Sequence, residues 1–170
     1  NKNTSGDPIL FNEAFVAVGG EWGELAAGRL ANIFSGNGDF GLCPHINPSP
    51  MGTNFPNAGL TPIFSSGYYY NNSVIYNSPR VNGFHVAAMY SNGRDDDSVS
   101  RGKSDQFSAL ALTYIGESFK FAVIPTYIDS DSLKTATVTP NDEYGIALLG
   151  SYWPEPTMGL HFGYQFVRDG

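Results

Sequence analysis

Met158-Gly159-Leu160-His161-Phe162-Gly163-Tyr164-Gln165-Phe166 places its large apolar side chains at alternate positions. Met158, Leu160, Phe162, Tyr164 and Phe166 share one side, and Gly159, His161, Gly163 and Gln165 share the other. Successive side chains of a strand point to opposite faces, so the pattern is that of a strand with one apolar face. The same period recurs toward the N-terminus. Glu143–Tyr152 groups Tyr144, Ile146, Leu148, Gly150 and Tyr152 on one side. Phe119–Ile128 groups Phe119, Phe121, Val123, Pro125 and Tyr127; Gln106–Tyr114 groups Ser108, Leu110, Leu112 and Tyr114; Phe84–Ser91 groups Phe84, Val86, Ala88 and Tyr90.

Three further strands are fainter. Tyr69–Asn77 sets Val74 and Tyr76 against Ser73, Ile75 and Asn77. Glu13–Gly19 and Gly23–Leu30 carry Ala and Gly on both sides, which blurs the alternation. Glu24–Phe34 also admits a short helix, although Gly28 weighs against it. Short Gly-, Pro- and Asn-bearing turns sit at 20–23, 78–83, 115–118 and 153–157. Long connections sit at about 30–67, 92–105 and 129–142. Short turns at one end of each strand pair and long connections at the other describe an up-and-down meander of about eight strands.

Composition decides what kind of meander this is. Only 15% of the 170 residues are charged, against roughly 25% in an average globular domain. Gly (20), Phe (12) and Tyr (10) fill much of the gap. The longest apolar runs are five residues, such as Ala14–Val18 and Val86–Tyr90, far short of the about 20 that a membrane-spanning helix needs. An aromatic content of 14% excludes a disordered chain. A soluble sandwich turns its apolar face inward and charged residues outward. Here the polar sides of the strands carry Gly, Ala, Ser, Thr, Gln and His, and aromatic residues bound the apolar sides at the strand ends. That is the arrangement of a transmembrane β-barrel, with a lipid-facing apolar band, aromatic girdles and a polar interior. Pro125, on the apolar side of a central strand, is the one residue out of keeping. Residues 1–170 are expected to form a single segment of all-β, transmembrane, up-and-down antiparallel barrel.

Two stretches carry a more specific signal. Ala14-Phe15-Val16-Ala17-Val18-Gly19-Gly20-Glu21-Trp22-Gly23-Glu24-Leu25-Ala26-Ala27-Gly28-Arg29 resembles the hairpin of Gram-negative general-diffusion porins, roughly FVGL-x-G-x-[FL]-G-x-[FVL]-x-x-GR. Asn71-Asn72-Ser73-Val74-Ile75-Tyr76-Asn77-Ser78-Pro79, followed by Gly83-Phe84, resembles the DNSVRYDSP…GF stretch of that family. The motifs occur in the family's order, with the long connection between them, and the resemblance covers about residues 14–90.

The resemblance implies a 16-stranded barrel in the outer membrane, usually a homotrimer. Its water-filled channel passes small hydrophilic solutes and ions passively, with lipid as the other partner and no cofactor. It implies that the loop at about 30–67 folds into the pore as a constriction, where loop acids face wall bases and set charge selectivity. Arg29 matches the arginine that ends the family's hairpin. Asp39 is the one acidic residue within 30–67, and it equally suits a turn in Ser35–Asp39. The family's motif arginine is Ile75 here, and the basic position before it falls among Tyr68, Tyr69 and Tyr70. Together with His85 and His161 on the polar sides of their strands, Arg29, Asp39, Tyr69 and Ile75 are the candidate pore-lining residues. Eight strands in 170 residues is about 21 per strand with its loop, so 16 strands need roughly 340. Val167–Gly170 also lacks the terminal aromatic of the family's last strand. The expectation is therefore an internal portion of a porin. The alternative is a complete eight-stranded barrel with a structural or binding role.

Other chemistries find little support. A net charge of -7 speaks against nucleic acid as a partner. Cys43 is the sole cysteine, so neither a disulfide framework nor a cysteine zinc site is indicated. His45, His85 and His161 lack the spacing of metal ligands or of a catalytic set, so no metal site and no enzymatic activity are expected. Asp95-Asp96-Asp97 lacks the Gly and Glu of a calcium loop and has Arg94, Arg101 and Lys103 around it, as in a solvated external loop.

Overall fold

A computed structural model describes residues 13–33, 69–92, 106–129, 142–155 and 158–169. These residues form eight strands and no helix. The strands are β1 (Ala14–Gly20), β2 (Gly23–Ala31), β3 (Tyr69–Asn77), β4 (Phe84–Ser91), β5 (Gln106–Ile115), β6 (Phe119–Asp129), β7 (Glu143–Glu155) and β8 (Met158–Asp169). Each pairs antiparallel with its sequence neighbour in one sheet of order β1 to β8. The sheet is open, with β1 and β8 at its edges. The helical alternative at 24–34 is overturned, because Gly23–Ala31 is a strand paired on both sides.

The register converts the sequence alternation into rows that run across the sheet. On one face Tyr90, Ser108, Tyr127, Tyr144 and Arg168 lie side by side. A second row holds Val86, Leu112, Val123, Leu148 and Tyr164; a third holds Phe84, Tyr114, Phe121, Gly150 and Phe162. Phe119, Tyr152 and Leu160 follow at the short-turn end. Aromatic rows thus flank an aliphatic band. Their rings touch: Tyr127 and Tyr144 centroids are 4.9 Å apart, Phe84 and Tyr114 5.0 Å, and Tyr114 and Phe121 5.8 Å. Offset and tilted pairs of this kind are the favoured aromatic geometry.

The opposite face is made of smaller side chains and is buried. Ala26, Ile75, Ala87, Met89, Ala109, Ala111, Ala122, Ile124 and Ala147 line it, with Phe107 and Ile128 at the end away from the short turns. Ser73, Ser91, Thr113 and Ser151 are buried on it as well.

Local chemistry explains the irregularities. Val81 and Phe84 exchange both backbone hydrogen bonds at 2.9 Å, closing a two-residue hairpin at Asn82-Gly83. Both residues have positive φ, 52° and 86°, as a primed turn requires. The β2–β3 register shifts between Gly28 and Leu30, beside Asn72 at φ 49°. Between β5 and β6 the paired positions run from Ala109↔Thr126 to Leu112↔Val123 with a gap around Pro125, whereas the β7 side continues through Pro125↔Ile146. A proline without an N–H removes one rung but leaves the register intact.

Candidate functional site

The unusual property of this sheet is which face is covered. The apolar sides recognised in the sequence are the exposed ones. Val16 is 79% exposed, Phe162 56% and Leu112 43%, whereas Ile75 on the opposite face is fully buried. Leu110, Ile146, Leu148, Leu160 and Phe166 share the exposed face. Scattered exposed apolar residues are ordinary, but a contiguous sheet face of them marks contact with lipid or protein. Its dimensions fit a bilayer. Tyr144 and Tyr152 are eight residues apart on β7, about 27 Å at ~3.4 Å per residue. A strand tilt of about 40° reduces this to about 21 Å, close to the band of an outer-membrane barrel.

Two of the candidate pore-lining residues, Ile75 and His85, lie on the buried face. Ile75 lies between Ala26 and Met89 in the register. Its buried aliphatic side chain brings no charge to the wall where the family motif has arginine. His85 is half-buried, with Nδ1 3.5 Å from Oγ1 of Thr113, its register partner. Arg29 sits within the β2–β3 register shift, opposite Ala14 of β1. Its Nη1 donates to Asn71 Oδ1 at 2.7 Å. Tyr69 pairs with Ala31 and His161 with Ser151 in the backbone ladder, and their side chains lie outside the described residues. Asp39 lies outside the described residues altogether.

Around Arg29 the polar groups are knitted to the backbone. The Asn71 carbonyl accepts from Ser91 Oγ at 2.8 Å and from Ser73 Oγ at 3.3 Å, and Ser73 Oγ also reaches the Tyr70 carbonyl at 2.9 Å. Glu13 Oε1 accepts from the Ala31 N–H at 2.8 Å. Tyr70 is buried and stacks on Phe107, with centroids 4.6 Å apart. These serine hydroxyls are directed at carbonyls, so they serve as braces of the register shift rather than as nucleophiles.

Sequence reasoning passed over one pair. Lys120 lies on the buried-face side of β6, in the parity of Ala122 and Ile124, with its Nζ 5.3 Å from the ring centroid of Trp153 on β7. Strand alternation puts Lys120 on the side opposite Phe119 and Phe121. Its meeting with Trp153 needed the register, in which Lys120 pairs with Ser151 two residues before the tryptophan.

The comparisons with known proteins agree with this geometry. No curated protein and no solved structure matches the chain. The sequence profile of the Gram-negative porins matches residues 1–166. With nearly the whole chain covered, and with a sheet whose apolar aromatic face is the exposed one, the chain belongs to the Gram-negative porin family and is a protein of the outer membrane.

Proposed function

We propose that the chain forms part of the wall of a water-filled channel through which small hydrophilic solutes and ions diffuse passively. The observation that carries this reading is the inverted sheet: bulky aliphatic and aromatic side chains are exposed on one face, and smaller residues interspersed with Ser, Thr, His and Lys occupy the other. Such a wall has lipid on one side and the interior on the other. Backbone groups at an open edge cannot stay unpaired in lipid. The edges at β1 and β8 therefore favour a larger barrel, of 16 strands by the family resemblance, over an eight-stranded one closed on itself. In this reading the segment at about 30–67 narrows the pore, those at about 92–105 and 129–142 are external loops, and three copies assemble.

No bond is made or broken in such a channel. Selection comes from pore width and from the charge on the wall. The net charge of -7 favours a weak preference for cations. Planar-bilayer recording of the purified protein under a KCl gradient tests the proposal. Stepwise, ungated conductance with a small cation-selective reversal potential is expected. Absence of conductance would overturn the channel reading, and strong anion preference would overturn the selectivity.

A further inference from the structure

The short-turn end of the buried face holds the strongest unassigned feature of the molecule. The backbone register brings Lys120, Ser151 and His161 into one row across β6, β7 and β8. The next row toward the middle runs His85, Thr113, Ala122, Leu149 and Gly163. Lys120 is half-buried, and its ammonium lies over the Trp153 indole. Trp153 is itself fixed, because its backbone N–H donates to the Ser118 carbonyl at 2.8 Å. Lys120 on β6 and Trp153 on β7 are therefore held together by two adjacent strands.

The chemistry of this pair is specific. A cation on the face of an indole is attracted by the ring quadrupole. The ring covers one side of the ammonium and leaves N–H donors on the other. Its register partner Ser151 is neutral, as are Thr113 and Ala122 in the adjoining row. In a chain with 16 acidic and 9 basic residues, a cation tethered on the inner face acts against the prevailing field.

We infer that Lys120, braced by Trp153, is an anion-steering group on the channel wall at its short-turn end, where it contacts the carboxylate or phosphate oxygens of passing solutes. The inference rests on the channel reading above, and it names a selectivity residue that neither family motif contains. A compact, strongly hydrated ammonium suits transient contact, in which an anion must leave as readily as it enters. The indole limits the volume the side chain sweeps and so keeps the charge in one place.

Reversal potentials in planar bilayers at about 0.1 M salt, where the screening length is about 10 Å, provide the test. KCl and potassium phosphate gradients are compared for the wild-type protein and for Lys120→Gln, Lys120→Glu, Lys120→Arg and Trp153→Leu. Lys120→Gln is expected to raise the cation-to-anion permeability ratio about twofold, and Lys120→Glu further. Lys120→Arg should hold the wild-type ratio, and Trp153→Leu should move it part of the way with the charge intact. A larger change with phosphate than with chloride supports contact with oxyanions. Arg168→Gln, on the exposed face, should leave the ratio unchanged. A conducting Lys120→Gln channel with the wild-type ratio overturns the inference and leaves the channel reading standing. A wild-type protein that does not conduct overturns both.

Discussion

The Phe162 ring lies across Gly150, its register partner on β7, and fills the space where a Cβ on that residue would stand. Gly150 belongs to the same row as Phe84, Tyr114 and Phe121, so the Phe162 ring closes a gap that the glycine opens in an aromatic girdle. Cross-strand covering of a strand glycine by an aromatic ring is a known device for stabilising a sheet. Gly150→Ala must displace the ring. The atom in the way is the far end of a side chain that is 56% exposed, so the ring can swing outward. The expected cost is about 1 kcal/mol, similar to that of Phe162→Ala. Because each change removes the same contact, the double variant should cost less than the sum. Unfolding midpoints in lipid vesicles measure all three, and strict additivity would contradict the coupling.

A different outcome is expected at Gly83. Its φ is 86°, and an added Cβ would stand 2.9 Å from Tyr114 Cε2 and 3.1 Å from the Ile115 carbonyl oxygen. The carbonyl cannot retreat, because the Ile115 N–H donates to the Gly83 oxygen at 2.8 Å and fixes the two segments together. Left-handed backbone costs an alanine roughly 1–2 kcal/mol before any clash. Gly83→Ala should therefore lower the unfolding midpoint more than Gly150→Ala, by about 2 kcal/mol in all. Equal effects at the two sites would refute the distinction between a yielding ring and an unyielding backbone.

Arg29 and Asn71 offer a third test. Their 2.7 Å hydrogen bond crosses from β2 to β3 at the register shift. The Asn71 side chain receives the guanidinium while its carbonyl holds Ser91 Oγ. A hydrogen bond to a charged group is stronger than a neutral one, but partial exposure screens it. A double-mutant cycle with Arg29→Ala and Asn71→Ala should return a coupling of about 1 kcal/mol. A coupling near zero would mean that the register shift holds without the pair.

These sites show what was legible before the fold was known. Alternation located β4 to β8 with their apolar sides, and β1 to β3 only faintly, because a strand against lipid must keep one face apolar along its whole length. Strand ends were less legible. Trp153-Pro154-Glu155 carries turn residues, yet β7 continues to Glu155, its ladder irregular beyond Tyr152 and Trp153 tied to Ser118. The Asn82-Gly83 pair announced its own turn, whereas the shift at Gly28 did not, since Ala and Gly on both sides of β2 leave no alternation for a slip to disturb. Lys120 drew no notice as a wall charge, and its partner Trp153 could not be read from the sequence. Cross-strand contacts depend on register, and register is decided by turns and packing together.

The depth of the band can be read from two positions on one strand. Leu112 lies in the aliphatic row between Val86 and Val123, and Ser108 lies in the outer aromatic row between Tyr90 and Tyr127. Both side chains point to the exposed face, four residues apart on β5. In water the two sites would tolerate arginine about equally, since neither is enclosed. In a bilayer they differ sharply. An arginine at mid-depth costs about 2–4 kcal/mol, whereas one near the interface costs about 0–1, because there it reaches the headgroups and their water. Leu112→Arg is therefore expected to destabilise the folded protein in vesicles by about 3 kcal/mol more than Ser108→Arg does. The effect should shrink when Leu112 is replaced by Phe, which keeps the row apolar. Equal tolerance of arginine at 108 and 112 would show that this face meets something other than the hydrocarbon core.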